Sequence, residues 1–195
     1  MSFRLHLVRH AEGTHNPNHD TTIPDPHVGL VLASPLRRTL QTARLGFQKS
    51  IDENYYAQGS VAGISDGARL VLEPDVQAHS ARPCDTGSEV SILRSEFYDL
   101  PWEIMELDSV FPRKEGVYAD DPECLKLRGA RVQSRLEERF RELVGTSRPD
   151  IVVVTHGGFL RFVSGDDKIE VGQAKWKTLV VTFDQHSRII IESSE

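Results

Sequence analysis

The 195-residue chain has little of several things that would narrow its class. It has two cysteines, Cys84 and Cys124, too few for a disulfide framework, and neither lies in a CxxC pair. A reducing, cytoplasmic setting is therefore expected, and a structural zinc site is not. There is no long apolar run. Nothing approaches the roughly 18 residues of a membrane span, and the first apolar stretch breaks at Arg9, too early for a secretory leader. There is no excess of positive charge either. The formal net charge of −6 argues against a nucleic-acid partner. Repeats and low-complexity segments are absent. The composition, 38% hydrophobic and 27% charged, is ordinary for a globular chain, and the length fits one domain, 1–195, with a sizeable core.

Strands and helices alternate in the pattern. Apolar runs at 3–8 and 27–33 read as strands, and 70–72 as a third. Ser34 and Pro35 have the character of an N-cap and a first helical residue, and Leu36, Leu40 and Ala43 recur at helical spacing, so a helix is expected over 35–47. A second is expected over 89–98. The stretch 100–121 carries Pro101, Trp102, Phe111, Pro112 and Gly116 and reads as irregular. A long amphipathic helix follows over 122–144, with Leu125, Val132, Leu136, Phe140 and Leu143 as its apolar stripe. The β-branched run 151–155 has the character of a central parallel strand, with a helix starting near Gly158. Segments 179–183 and 188–191 read as a closing pair of strands. The expected fold is α/β, a three-layer sandwich with a mainly parallel central sheet.

Ligands in such sheets sit beyond the carboxyl ends of the strands. Arg9-His10, Ser34-Pro35 and His156-Gly157 all fall at such ends. Arg9 and Arg38 supply planar donor forks suited to phosphate oxygens. Gly157 leaves room for an anion at backbone N–H groups. A neutral imidazole is a competent nucleophile near pH 7, and a second one, held protonated by the negative charge of the phosphate, stabilises the transferring group. Together these residues suit in-line phosphoryl transfer to a histidine and then to water.

In sequence, "LVRHAEGTHN" resembles the RHG signature of the histidine phosphatase superfamily, the phosphoglycerate mutase-like group, with Ala11 in place of the commonest glycine. "SPLRRTLQTA" is similar to the second motif of that family and places Arg38 on its phosphate-binding arginine. "VVVTHGGFLR" is similar to the third and places His156 on its second histidine. The resemblance implies that His10 forms the phosphohistidine, that Arg9, Arg38 and His156 complete the phosphate pocket, and that Asn16 contacts phosphate or substrate. Glu12 has two open readings, substrate contact and loop ordering. No metal or organic cofactor is implied. "RPCDTGSE" resembles a loop that borders the substrate cleft in fungal-type members. Asp85 and Ser88 there either line the pocket or build the turn and cap the next helix. The segment 81–121 is expected to cover the cleft. Its aromatics, Phe97, Tyr98, Trp102, Phe111 and Tyr118, either favour an apolar leaving group or pack the core.

The chain departs from that family at two places. The position of the carboxylic acid that protonates the leaving group holds Ala78, in the triplet Val76-Gln77-Ala78. Three explanations stand open: an engineered replacement, a protein that binds phosphorylated ligands without full activity, or a proton supplied by Asp75, Asp85 or Glu89. The second departure lies between the first two strands, where about eighteen residues carry no helical periodicity, although a parallel crossover usually contains a helix. Either an unusual connection or an omitted segment accounts for it. His15, His19 and His27, with Asp20 and Asp25, match no tight ligand spacing. His79 reads as a loop residue beside the cleft. The function implied is a phosphatase acting on a small phosphorylated metabolite, a phosphomonoester or a diphosphate. The alternatives are a phosphoglycerate mutase-type phosphotransferase and a phosphate-ligand binding or regulatory protein. Neither a nucleic acid nor a membrane is an expected partner, and the oligomeric state is not legible.

Overall fold

A computed structural model describes residues 3–11, 27–103, 105 and 107–193. Six strands form one mixed sheet: β1 (Phe3–Arg9), β2 (Val28–Ala33), β3 (Arg69–Leu72), β4 (Asp150–Thr155), β5 (Trp176–Phe183) and β6 (Ile189–Ser193). Their order across the sheet is β3-β2-β4-β1-β5-β6. The first four are parallel to one another, and β5 and β6 close the edge in antiparallel pairing. Four helices flank the sheet: α1 (Arg37–Gly46), α2 (Val90–Glu96), α3 (Pro122–Glu142) and α4 (Leu160–Ser164).

The side-chain period of two along each strand divides the interior into two cores. Leu5, Leu7, Leu30, Leu32, Ile151 and Val153 face one side, where they meet Leu125, Val132, Leu136, Phe140 and Leu143 of the α3 stripe, with Leu160 and Val163 of α4. Val8, Val31, Ala33, Val152 and Val154 face the other side. There they meet Leu40, Ala43 and Phe47 from α1 and its end, and Leu93, Phe97, Trp102, Phe111 and Tyr118 from the 81–121 segment. The three-layer sandwich expected from the pattern is the fold observed.

Local chemistry explains how the elements are set. Asp121 caps α3 by accepting from the backbone N–H of Glu123 and Cys124, and Pro122 takes the first helical position. A turn after β3 is stapled to α3 by ion pairs: Asp75 with Arg131 and Arg135, and Glu73 with Arg135. Gly29 lies at an irregularity between Val28 and Leu30 in the pairing of β2 with β4. A Cβ there would come within 2.2 Å of the Arg148 carbonyl oxygen. Gly29→Ala is therefore expected to lower stability by about 1–3 kcal/mol, the scale of overpacking a filled site. In urea unfolding this appears as an earlier midpoint at unchanged slope.

Two expectations need correction. The first helix begins at Arg37, two residues later than expected. Leu36 occupies its N-cap without a side-chain bond, so Ser34 is not a cap. The second helix is shorter than 89–98, and its N-cap, Glu89, makes no side-chain cap bond. Ser88 caps nothing. Glu12, Asn16, His15, His19, Asp20, Asp25 and most of the puzzling first connection lie outside the described residues.

Candidate active site

In the sheet β2, β4 and β1 are neighbours, so their carboxyl ends lie side by side. They deliver Ser34, His156, and Arg9 with His10. Helix α1 starts directly after β2 and brings Arg38 over the same edge. Arg38 is the hub. Its Nε donates to His10 Nε2 at 3.1 Å, and its Nη2 donates to His156 Nδ1 at 2.9 Å. The two imidazole centroids are 5.0 Å apart. Nη2 of Arg38 also meets Asp85 Oδ1 at 3.0 Å, and Nη1 donates to the Cys84 carbonyl at 2.5 Å.

These partners set both tautomers. A carbonyl oxygen only accepts, so the 2.8 Å contact of His10 Nδ1 with the Ala11 carbonyl places the proton on Nδ1. The lone pair of His10 is then on Nε2, where Arg38 donates. Guanidinium only donates, so His156 accepts at Nδ1 and carries its proton on Nε2, which donates to Ser34 Oγ at 2.9 Å. Burial, followed by the nearby guanidinium of Arg38, holds the His156 pKa well below the ordinary imidazole value. Burial also lowers that of His10; the Ala11 carbonyl opposes the shift, and Arg38 and Arg9 add to it. With no anion bound, both imidazoles are neutral at pH 7.

Arg9 is held from below. Its Nη1 donates to the Val171 carbonyl, and its buried Nε has no hydrogen-bond partner among the described residues. A Cβ on Gly157 would lie 3.1 Å from the Arg9 guanidinium carbon, so the glycine makes room for this arginine. Gly157 opens a single 3-10 turn, Gly157–Phe159, before the five-residue α4. The helix expected there is thus a short one. Gly158 packs against His79, whose ring would sit 2.3 Å from an added Cβ.

Ala78 is 1% exposed, and its methyl group belongs to the core. Its carbonyl accepts from Lys114 Nζ at 2.7 Å and from Arg128 Nη2 at 3.3 Å. Of the three carboxylates considered for proton donation, Asp75 is buried in its pairs with Arg131 and Arg135. Glu89 is exposed at the start of α2. Asp85 alone joins the histidine cluster, through Arg38, and it also accepts from Ser80 Oγ at 2.6 Å. Ser88 makes no hydrogen bond to the cluster among the described residues. Of the aromatics, Phe97, Trp102, Phe111 and Tyr118 are buried in the core, and Tyr98 is exposed.

Sequence reasoning placed Ser34 at this edge but missed that it orients His156. It missed three further contributors. Thr42 Oγ1 accepts from the Ala11 N–H at 3.0 Å and donates to the Arg38 carbonyl, tying the stretch after His10 to α1. It lies one turn beyond Arg38, a spacing that could have revealed it. Lys114 and Arg128 arrive from segments distant in sequence, with no local signal. Among the described residues no group of three or more His, Cys, Asp or Glu could hold a metal ion. No helix among them is long and apolar enough to cross a membrane.

The fold is phosphoglycerate mutase-like, and the motifs resemble those of the histidine phosphatase superfamily. The comparisons with known proteins agree. A probable phosphatase of Schizosaccharomyces pombe is 27% identical over 152 residues, covering 78% of this chain and 62% of the relative. The matched region is thus less than two thirds of that relative's length. A phosphoglycerate mutase from Bacillus anthracis superposes with a TM-score of 0.53 at 16% identity, over 99% of this chain and 92% of that one. A mycobacterial glucosyl-3-phosphoglycerate phosphatase gives 0.52 at 15%, over 98% and 97%. At these identities the solved structures speak to the fold. No family model matches the chain.

Proposed function

We propose that the chain is a phosphatase that hydrolyses a small phosphorylated metabolite, a phosphomonoester or diphosphate, by way of a phosphohistidine on His10. The observation that carries this reading is the Arg38 bridge, one guanidinium hydrogen-bonded to two neutral imidazoles. A phosphate entering the site replaces the imidazole nitrogens as the acceptor of the Arg38 donors. That exchange frees the Nε2 lone pair of His10 and aims Arg38 and Arg9 at phosphate oxygens. As Nε2 attacks phosphorus, the proton stays on Nδ1 and is donated to the Ala11 carbonyl, which stabilises the imidazolium that forms. The phosphate dianion raises the proton affinity of His156, whose ring faces the same space. Water then attacks the phosphohistidine and releases phosphate. Both cysteines are free, in keeping with a reducing, cytoplasmic setting. The 81–121 segment supplies Cys84 and Asp85 as one wall of the pocket.

The test is phosphate release from p-nitrophenyl phosphate across pH. His10 must be unprotonated to attack, and its pKa is lowered, so kcat/KM should hold as pH falls through the ordinary imidazole range. It should drop only below that range. An acidic limb at or above the ordinary imidazole value of about 6.5 contradicts the reading. A second reading, a binding protein for phosphorylated ligands, is favoured by one observation, the lack of a carboxyl group at Ala78. It requires retained affinity for inorganic phosphate with no turnover of any ester.

A further inference from the structure

The reaction needs a proton for the oxygen that leaves, and the described pocket holds few groups able to give one. Asp85 is anchored as an anion by the Arg38 guanidinium and the Ser80 hydroxyl. Asp75 and Glu73 are committed to arginines of α3. In the free site the imidazoles are neutral and each N–H is donated to a protein acceptor, and a proton drawn to His156 by a bound phosphate is held against the transferring group. One further proton-bearing side chain, Lys114 of the 81–121 segment, is held at the Ala78 carbonyl and shares the electrostatic field of Arg38, Asp85 and His156. Lys114 places its ammonium 2.7 Å from the Ala78 carbonyl, its only hydrogen bond among the described residues. No carboxylate forms an ion pair with it there. Two of its three N–H bonds make no hydrogen bond among the described residues, which leaves them for a ligand.

We propose that Lys114, held at the Ala78 carbonyl, is the proton donor to the leaving group. This rests on the phosphohistidine reading of the site. The P–O bond to the leaving group breaks as the bond from His10 Nε2 to phosphorus forms. The ammonium proton passes to the departing oxygen, which leaves as the neutral alcohol, and Lys114 becomes a neutral amine. In the second half, the amine takes a proton from the attacking water as the O–P bond forms and the N–P bond breaks. Phosphate leaves, and both residues return to their starting states.

The surroundings suit that task. A lysine with an ordinary pKa near 10.4 gives up its proton reluctantly at pH 7. Burial pushes Lys114 down to about 7, where a general acid works best. Arg128 of α3 and Arg38 of α1 add to the push, and Asp85 and Asp120 oppose it. Lys114 in turn is one of the charges that lower His79 and His156. It therefore shares the field of the phosphate pocket from three sides. Arg128 itself is fully buried, its ring-stacked guanidinium 4.2 Å from the Phe159 centroid, and holds the Ala78 carbonyl beside Lys114.

A leaving-group comparison tests this. p-Nitrophenyl phosphate departs readily without a proton, and phenyl phosphate, of nearly the same shape, needs one. Lys114→Met is expected to lower kcat/KM for phenyl phosphate by ~10²–10⁴-fold, the range of a general acid, and for p-nitrophenyl phosphate by much less. Lys114→Arg keeps the charge without a transferable proton and should fail on phenyl phosphate as Lys114→Met does. The alkaline limb of the wild-type profile on phenyl phosphate should vanish in both variants. An equal loss on the two esters, or full rescue by Lys114→Arg, overturns the proposal and leaves Lys114 as a charge that binds phosphate. A wild-type chain silent on both esters, like its His10→Ala variant, overturns the phosphatase reading itself. Circular dichroism of each variant separates these results from misfolding.

Discussion

His10→Ala is expected to abolish phosphate release, with a fall on the order of 10⁴–10⁶-fold, the scale on which loss of a covalent nucleophile falls. The geometry makes the change clean. His10 is held by one carbonyl, Ala11, and one guanidinium, Arg38, and it supports no other side chain through hydrogen bonds. Removing the ring leaves Arg38 anchored at His156, Asp85 and Cys84. The variant should therefore still bind inorganic phosphate. It should also fail to form the acid-labile, base-stable phosphoprotein that marks a phosphohistidine, which rapid quenching of the wild-type reaction should trap. Substantial turnover by His10→Ala would move the nucleophile elsewhere and dismantle the mechanism. Loss of phosphate binding along with turnover would mean that His10 builds the pocket as well as attacking within it.

Phe140→Ala should have the largest effect on stability, with little on chemistry. Phe140 is fully buried on the inner face of α3 and meets Phe3 of β1 edge to face, with centroids 5.6 Å apart. Truncation to alanine in such a place costs about 3–5 kcal/mol through lost burial and the cavity left behind. For a chain of this length that corresponds to a fall in Tm of roughly 10 °C. The cavity opens on the side of the sheet away from α1, so Arg38 and the two histidines keep their contacts. Below the transition, kcat/KM should be close to that of the wild type. Calorimetry and an assay at low temperature check both halves. A large loss of activity in the folded variant would show that the two cores are more tightly coupled than their separation across the sheet implies.

The parts of this molecule legible in sequence are those governed by local pattern. The run Ile151–Val154 declares a central strand because each residue is apolar and β-branched, and the stripe from Leu125 to Leu143 declares a buried helix face. The order of Arg9, His10, Arg38 and His156 at strand ends was enough to bring them together on paper. The place of Ser34 at the strand ends was legible, but its role was not. Its position before a proline and a helical pattern gave it the look of a cap. In the structure its hydroxyl serves His156, a partner 122 residues away, and the helix starts later without it. Gly157 was expected to make room for an anion, and it makes room for the Arg9 side chain. Lys114 sits in an irregular segment where no period exists to read, and its closeness to Ala78 is purely tertiary.

The adjacency of β2, β4 and β1 separates what can be exchanged from what cannot. Three of the four chemical side chains ride on, or directly beyond, the stiffest part of the molecule, where any displacement would strain a ladder bonded on both sides. The proton donor and the wall beside it ride on a long loop packed against one face. A lineage could rebuild that loop, and with it the size, polarity and proton demand of the alcohol released. The attacking nitrogen would not move. Such a protein would change its substrate by changing its roof, and Lys114 opposite Ala78 has the form of one such rebuilding.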